Sequence, residues 1–418
     1  MTQKESARLV TSAAEIGAAR WNALANPQGL AEPHPFTSYE FFAALEESGS
    51  ASRKTGWQPA HLLMAGPPPS ASAHDGGGGR STVEDNSQWS SGPLAVRPVR
   101  RPEGATALMP LYAKNHSYGE YVFDHAWAEA LERAGGDYYP KLQCSVPFTP
   151  VTGRRLLASS NADRMALLKA ATAAVKQIGA SSLHITFLTR EEWQAAGDAG
   201  YLMRTGQQFH WENRGYKSFD EFLGELSSAK RKNLRKERAA VREAGVTFDW
   251  LTGSDISESH WDQFFNFYMD TGGRKWGTPY LTREFFSRLG QGLSKQILLV
   301  MAKQGGRTIA GALNLFGEGV LFGRNWGAVE HVPFLHFEAC YYQAIDFAIA
   351  RGLKRVEAGA QGEHKLLRGY LPVQTYSAHI IAHKGLSRAV DDFLEAERAA
   401  VAENISELAR HAPFRKDK

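Results

Sequence analysis

The 418-residue chain contains two cysteines, Cys144 and Cys340. Two thiols separated by nearly half the chain build no disulfide framework, and a reducing cytoplasm is the expected location. Long apolar runs are missing as well. No segment reaches the ~18 residues needed to span a bilayer, and the N-terminal residues carry no apolar signal core. Secretion and insertion are not expected, which leaves peripheral contact with a membrane surface open. Excess charge is also small: 48 basic against 44 acidic residues give +4, too little to mark a nucleic-acid binder by itself. No HExxH-type spacing is present; the nearest set, His331, His336, Glu338 and His364, has no ligand pattern, so no metal is expected. What remains is an ordinary globular composition, 43% hydrophobic and 22% charged, long enough for two or three cores.

One segment stands apart. Residues 66–104 number 39, of which 19 are Gly, Pro or Ser, including Gly76–Gly79 in a row. Such a stretch cannot bury enough apolar surface to offset its ordering entropy. It reads as a disordered insertion in a hairpin between strands at His61–Ala65 and Ala105–Tyr112. Elsewhere periodicity and end signals place helices at Ala13–Leu24, Ser38–Glu47 with Ser38 as N-cap, His125–Arg133, Asp163–Ile178 and Phe334–Ala350. Strands fall at Ser182–Leu188, Val246–Trp250, Gln296–Lys303, Thr308–Phe316, Gly319–Trp326 and Lys354–Ala358. An amphipathic helix over Ser387–Ala409 ends the chain.

The two halves share landmarks. Pro279-Tyr280-Leu281-Thr282-Arg283-Glu284-Phe285-Phe286 matches Pro35-Phe36-Thr37-Ser38-Tyr39-Glu40-Phe41-Phe42 at an offset of 244, and the helix–Gly–strand step at Gly352 matches that at Gly179 at an offset of 173. The spacing predicts a duplication, with 71 extra residues in the first copy. We therefore expect an N-terminal domain over 1–200, a basic helical hinge over 201–245, a C-terminal domain over 246–386 and a helical tail over 387–418.

Strand, two helices, three-strand meander, helix, strand is the order of the acetyltransferase (GNAT) fold. Two copies in tandem joined by a basic helix resemble the FemAB family, in its peptidoglycan biosynthesis/recognition branch. The resemblance rests on His116-Ser117-Tyr118-Gly119-Glu120-Tyr121-Val122-Phe123-Asp124, Tyr139-Pro140-Lys141-Leu142-Gln143, Pro147–Gly153 and Gly359–Pro372, and covers roughly residues 30–385 without the insertion. It implies an α/β fold of two tandem GNAT-like domains. It also implies an acyl- or aminoacyl-transferase that adds an acyl group to an amine acceptor, a peptidoglycan precursor, from aminoacyl-tRNA.

The residues point to a site at Leu353–Pro372, where a short strand breaks into a glycine-bearing loop followed by four ionisable groups. His364 is the general base by type, with Glu363 or Glu338 to orient or replace it. Gln361, Lys365 and Arg368 would hold an acceptor or an anion, beside the plainer reading of solvated charges. Arg324, Asn325 and Trp326 end a strand, and His336, Glu338 and Tyr342 begin the next helix. Lys141 and Gln143 come with the family motif. Arg231, Arg235 and Arg238 lie on one stripe of the hinge helix and suit phosphates, of tRNA or of a nucleotide sugar, or else a solvated face. The pyrophosphate loop of coenzyme A enzymes is half met, since Val329 stands where a small residue belongs. No tightly bound cofactor is expected. An acyl-coenzyme A N-acyltransferase and a non-catalytic binder of glycopeptide are the alternatives, and donor, acceptor and oligomeric state stay open.

Overall fold

A computed structural model describes residues 6–65, 105–275, 279–359 and 362–415. The expected insertion at 66–104 lies outside the described residues. The chain forms a mixed α/β fold of two similar halves.

The first half begins with β1 (Ser6–Val10), α1 (Ala13–Ile16), α2 (Ala18–Ala25) and α3 (Tyr39–Glu47). The single helix expected over Ala13–Leu24 is split at Gly17, whose φ of 83° breaks the helical path. Ser38 does stand at the N-cap of α3, but its hydroxyl donates to the Pro35 carbonyl at 2.7 Å instead of capping. Next come β2 (Trp57–Pro59) and β3 (His61–Ala65), then β4 (Ala105–Met109) and β5 (Tyr112–Lys114). The strand expected over Ala105–Tyr112 breaks at Pro110, so its two pieces belong to different sheets. After α4 (His125–Arg133) follow β6 (Lys141–Cys144), β7 (Leu157–Ala158), α5 (Asn161–Ile178), β8 (Ser182–Thr186), α6 (Arg190–Asp198) and β9 (Leu202–Glu212). Ser160 caps α5 by accepting from the Asp163 amide, and Gly179 ends it in the left-handed conformation. β9 lies inside the segment expected to be a helical hinge. The helices there are α7 (Phe219–Glu225) and α8 (Ser228–Glu243).

The second half runs β10 (Val246–Thr252), α9 (Glu258–Lys275), α10 (Arg283–Leu293) and a meander of β11 (Ile297–Gln304), β12 (Arg307–Gly317) and β13 (Val320–Ala328). The following helix is not uniform: Leu335–Phe337 (α11) passes through a π-helical turn, Glu338–Tyr342, into Gln343–Ala350 (α12). Phe334, expected as its first residue, has φ 65° and stands outside it. The chain closes with β14 (Arg355–Glu357), a 3-10 turn at Glu363–Arg368, β15 (Leu371–Ile381) and α13 (Lys384–Arg410).

Among the described residues each half contains one parallel pair, β6 with β8 and β13 with β14. The halves then trade their last strands. β8 pairs with β15, and β14 pairs with β9, so an eleven-stranded sheet runs through both in the order β10-β11-β12-β13-β14-β9-β15-β8-β6-β5-β2. β9 and β15 are antiparallel and equally long, and Gly206 pairs with Thr375, its equivalent by position in the strand. Phe41 and Phe285, equivalents in the repeated landmark, also touch, at 5.8 Å between rings. Equivalent residues meeting at both places mark an approximate two-fold relation. One apolar cluster with α3 and α10 at its centre includes Phe36, Phe41, Phe285, Phe286, Leu313 and Phe322 and joins the halves. Among the described residues no helix is long and apolar enough to cross a membrane.

Candidate active site

In each half the parallel pair holds for three residue pairs and then diverges. The chain itself fills the first gap. Arg155, 1% exposed, donates from Nε to the Thr186 carbonyl (3.0 Å) and from Nη2 to the Val151 carbonyl (2.6 Å), while the Gly153 amide donates to the Phe187 carbonyl (3.0 Å). Gln143 belongs to this buried region, with Nε2 donating to Thr186 Oγ1 at 3.1 Å.

The second half differs. β13 continues past Phe322, and its pairing with β12 jumps from Asn314–Gly323 to Leu313–Asn325, which leaves Arg324 as the extra residue of a β-bulge. Bulges re-aim side chains and recur beside active sites. The half-buried Arg324 donates to the Phe148 carbonyl and to Thr149 Oγ1 (3.3 Å), both from the first half. Its guanidinium also lies 5.6 Å from the Phe36 ring. Beside it opens a cavity of about 240 Å³. β13 contributes Arg324, Asn325 and Trp326; α9 contributes Tyr268 and Thr271; the segment after α9 contributes Tyr280, the first half Tyr121, and α11 contributes His336. Burial pushes the phenols of Tyr121 and Tyr280 up, and that of Tyr268 to about 12, so they serve as neutral hydrogen-bonding groups.

Tyr121 reaches the cavity because the loop His116–Asp124 is pinned at both ends. Lys141, 1% exposed, pairs with Asp124 (2.6 Å) and Glu120 (3.3 Å) and donates to Ser117 Oγ (2.8 Å). Lys114 pairs with Glu120 at 3.3 Å and donates to the Tyr118 carbonyl at 2.8 Å. Burial lowers Lys114 to about 7, against the pull of Glu120. Burial would raise the Asp124 carboxyl, but His184 and Lys141 hold it well below the carboxylate range. Lys141 thus holds this loop in place. Tyr121 itself has φ 59°, as Phe148, Phe187 and Phe334 have positive φ. Bulky residues rarely adopt this conformation, and such strain gathers at functional sites.

Around the 3-10 turn the ionisable residues are mostly engaged. Glu338 accepts from Arg238 Nη2 (2.9 Å) and Nε (3.2 Å) and from Gln343 Nε2 (2.8 Å). Burial pushes its carboxyl up and Arg238 opposes. Arg238 also pairs with Asp346 at 2.6 Å. Arg368 and Tyr342 both donate to Glu237 of α8, Arg368 at 2.8 and 3.2 Å, and the Arg368 guanidinium sits 3.4 Å from the Phe337 ring centroid. Lys365, 2% exposed, donates to the Gly359 carbonyl at 2.9 Å, and burial lowers it to about 8. α8 is therefore docked inward by Glu237 and Arg238. Arg231 donates to the Leu226 carbonyl (3.2 Å), whereas the exposed Arg235 pairs with Asp220 (3.0 Å). The arginine stripe does not present one shared face to solvent.

His364 is exposed, and its Nε2 lies 2.9 Å from the Tyr341 hydroxyl. Partial burial, Arg368 and Lys365 lower its pKa, favouring neutral imidazole. His336 links it to the cavity: its ring is 5.5 Å from that of Trp326 and 6.3 Å from that of His364. The helix that bears His336 carries the π turn at Glu338–Tyr342, a feature frequent at functional sites. Gln361 and the Glu363 side chain lie outside what the structure describes. The half-met pyrophosphate loop has two amides already engaged, Ala328 with Thr271 Oγ1 (3.1 Å) and Val329 with the Ile309 carbonyl (3.0 Å).

The structure thus brings Arg324, Asn325, Trp326 and His336 to one cavity with His364 beyond it. It assigns Glu338, Tyr342, Lys365 and Arg368 to internal pairs. Sequence reasoning missed Tyr121, Tyr268, Thr271 and Tyr280. Tyr121 stands within a quoted motif, and Tyr280 replaces the Phe36 of the first landmark, a polar change that signals a different environment.

No curated protein matches the chain. Similar solved structures include FemX (11% identity, 93% of this chain and 100% of that one, TM-score 0.49). L-PGS from Bacillus licheniformis has 14% identity over 69% of this chain and 86% of that one, TM-score 0.45. A tandem GNAT protein from the clavulanic acid biosynthesis pathway has 9% over 91% and 99%, TM-score 0.43. The profile of one family matches residues 12–74 and 79–416, nearly the whole chain, and on that ground the protein belongs to the FemAB-like family of peptidoglycan biosynthesis/recognition.

Proposed function

We propose that the protein is an acyl- or aminoacyl-transferase whose second half binds an amine acceptor in the cavity beside Arg324. The observation that carries this reading is the contrast between the two gaps. One is filled by Arg155, while the other leads into a 240 Å³ cavity bordered by a bulged arginine. In the proposed reaction the acceptor nitrogen attacks the donor's acyl carbon, a new C–N bond forms, and the C–O or C–S bond to the carrier breaks. Neutral His364, with its ring fixed by Tyr341, takes the proton that the amine loses. Arg324 and the tyrosine hydroxyls supply donors for the acceptor's anionic or carbonyl groups.

Family membership supports a peptidoglycan-related acceptor. The occupied amides of Ala328 and Val329 favour aminoacyl-tRNA over acyl-coenzyme A, and the exposed Lys232, Arg235 and Lys236 of α8 suit a polyanionic donor. The test is transfer of labelled acyl groups from aminoacyl-tRNA and from acetyl-coenzyme A to a peptidoglycan-precursor amine, by wild type and His364→Gln. We expect transfer from the tRNA donor and a loss of roughly 10²–10⁴ in turnover in the variant. Full activity of His364→Gln overturns the base assignment. Tight precursor binding without transfer from either donor overturns the enzyme reading in favour of a binder.

A further inference from the structure

The exchanged strands set one ionisable pair at each of their two crossings. His379 of β15 pairs with His184 of β8, and at the equivalent place in the other half His210 of β9 pairs with Glu357 of β14. The two histidines are joined, with 2.8 Å between their Nδ1 atoms. In the second pair the contact is open. Glu357, 3% exposed, gives Oε1 to Arg355 at 2.9 and 3.0 Å. Its Oε2 has no hydrogen-bond partner among the described residues and stands 3.8 Å from His210 Nε2. A carboxylate oxygen buried in this way is seldom left unpaired. The same nitrogen has a rival acceptor, Gln208 Oε1, at 3.4 Å. Gln208 in turn donates from Nε2 to the Pro150 carbonyl at 2.6 Å. Around Pro150 the backbone holds both contrasted arginines: the Val151 carbonyl accepts from Arg155, and the Phe148 carbonyl and Thr149 Oγ1 accept from Arg324. Two hydrogen bonds thus connect His210 to the loop that fixes Arg324.

One N–H cannot serve both acceptors. A neutral carboxyl at Glu357 makes little claim on it, and the hydrogen goes to the nearer Gln208. An ionised carboxylate is the stronger acceptor, and once it takes the hydrogen the Gln208 amide keeps a single anchor. A hydrogen with two alternative acceptors is the two-state element that coupling between sites requires. We propose that His210 is a positioning residue whose Nε2 hydrogen, given to Gln208 or to Glu357, ties the protonation of Glu357 to the hold on the 147–151 loop and so to Arg324. Any effect on ligand affinity rests on the proposed acceptor reading; the response of the loop does not.

The surroundings decide which group changes charge. Burial pushes the Glu357 carboxyl up to about 7 against the pull of Arg355, and burial, Arg355 and Lys365 bring His210 down to about 3. Near neutral pH the carboxyl therefore titrates while the imidazole stays uncharged. The charged groups facing the pair are Arg355 on β14, Glu212 on β9 and Lys365 on the 3-10 turn. Two further groups sense Arg355: Glu318, in the turn between β12 and β13, whose carboxyl burial raises, and His34, ahead of α3, which burial holds neutral at about 3. The loop is thus held tightly below the Glu357 pKa and loosened above it.

The experiment is amide hydrogen exchange of the full chain between about pH 5.5 and 8.5, corrected for the intrinsic pH dependence of exchange and read in peptides covering residues 144–156. Wild type, Glu357→Gln and Gln208→Leu are compared. Glu357→Gln keeps the shape of the neutral carboxyl; Gln208→Leu cuts the relay; thermal melts confirm that each variant is folded. In wild type we expect protection to fall several-fold as pH rises through about 7, with peptides from α5 unaffected. Glu357→Gln should stay protected across the range, and Gln208→Leu should be weakly protected throughout. A flat wild-type profile, or a pH response that survives in Glu357→Gln, overturns the relay. An equal fall in the α5 peptides overturns it in favour of general loosening. Should Gln208→Leu not fold, Glu357→Gln alone decides. No ligand enters the readout, so absence of acyl transfer would sink the proposed reaction and leave the relay standing. Transfer by a protein whose loop ignores pH would do the opposite.

Discussion

Both halves carry a parallel strand pair that diverges after three residue pairs, yet one gap holds Arg155 and the other ends at a bulge carrying Arg324. The two arginines show how one framework supports opposite uses. Arg155 spends its donors on the carbonyls of its own half and is inaccessible. Arg324 reaches across to the Phe148 carbonyl and still borders a cavity. A buried arginine and a cavity-facing one are told apart by where their partners sit, and residue type alone says nothing of it.

The sharpest way to break the comparison is to remove both arginines separately. Arg155→Leu strips donors from two buried carbonyls, which should cost ~3 kcal/mol or more and lower the melting temperature by several degrees. Activity per folded molecule should hold. Arg324→Gln should do the reverse, a small change in melting temperature and a loss of about tenfold in acceptor affinity, equal to ~1.4 kcal/mol. Equal melting shifts in the two variants would erase the distinction. Calorimetry and equilibrium binding supply both numbers.

A smaller effect is expected at the repeated landmark. Phe36 is fully buried, while its equivalent Tyr280 is 37% exposed and stacks on Phe148 at 4.7 Å. Phe36→Tyr buries a hydroxyl with no partner, at roughly 1–3 kcal/mol. Tyr280→Phe should leave the denaturation midpoint nearly unchanged but weaken ligand binding. Tolerance of Phe36→Tyr would mean that a cavity exists there too.

The smallest effect concerns pH. His184 and Glu357 are equivalents at the 173-residue offset, and burial drives both towards neutrality: His184 down to about 3, Glu357 up to about 7. The unfolded chain binds more protons at His184 between about pH 3 and 6.5, so this group's contribution falls as pH drops through that window. The folded chain binds more protons at Glu357 between about pH 4.5 and 7, so its contribution falls as pH rises there. His184→Gln should flatten the acid side of a stability–pH curve, and Glu357→Gln the near-neutral side. Unchanged slopes in urea titrations across pH 4–7 would remove the titration argument.

Much of this architecture is legible in the sequence. The helix–Gly–strand steps, the hairpin around 66–104 and the repeated Pro-x-x-x-x-x-Phe-Phe landmark report local chemistry, and local chemistry decides them. The strand exchange is not legible, since nothing within Leu202–Glu212 distinguishes β14 from β8 as its neighbour. The cavity escapes for the same reason, because Tyr121, Tyr268 and Tyr280 meet only through tertiary packing. The cluster at Glu363–Arg368 looks reactive by spacing, yet Arg368 is claimed by Glu237, 131 residues earlier. Spacing cannot show that.

The traded strands also set a schedule for synthesis. The edge of β8 waits for β15, whose residue Ser377 pairs with Thr186 about 190 positions upstream. Nearly the whole chain must leave the ribosome before the first half can complete its sheet. Until then the nascent protein carries an open strand edge, a template for pairing with other chains. Loop closure over such a span is slow. A gene cut between the halves would yield two fragments, each lacking the strand that covers its own edge. Co-expression of both pieces, and not either alone, should restore soluble protein.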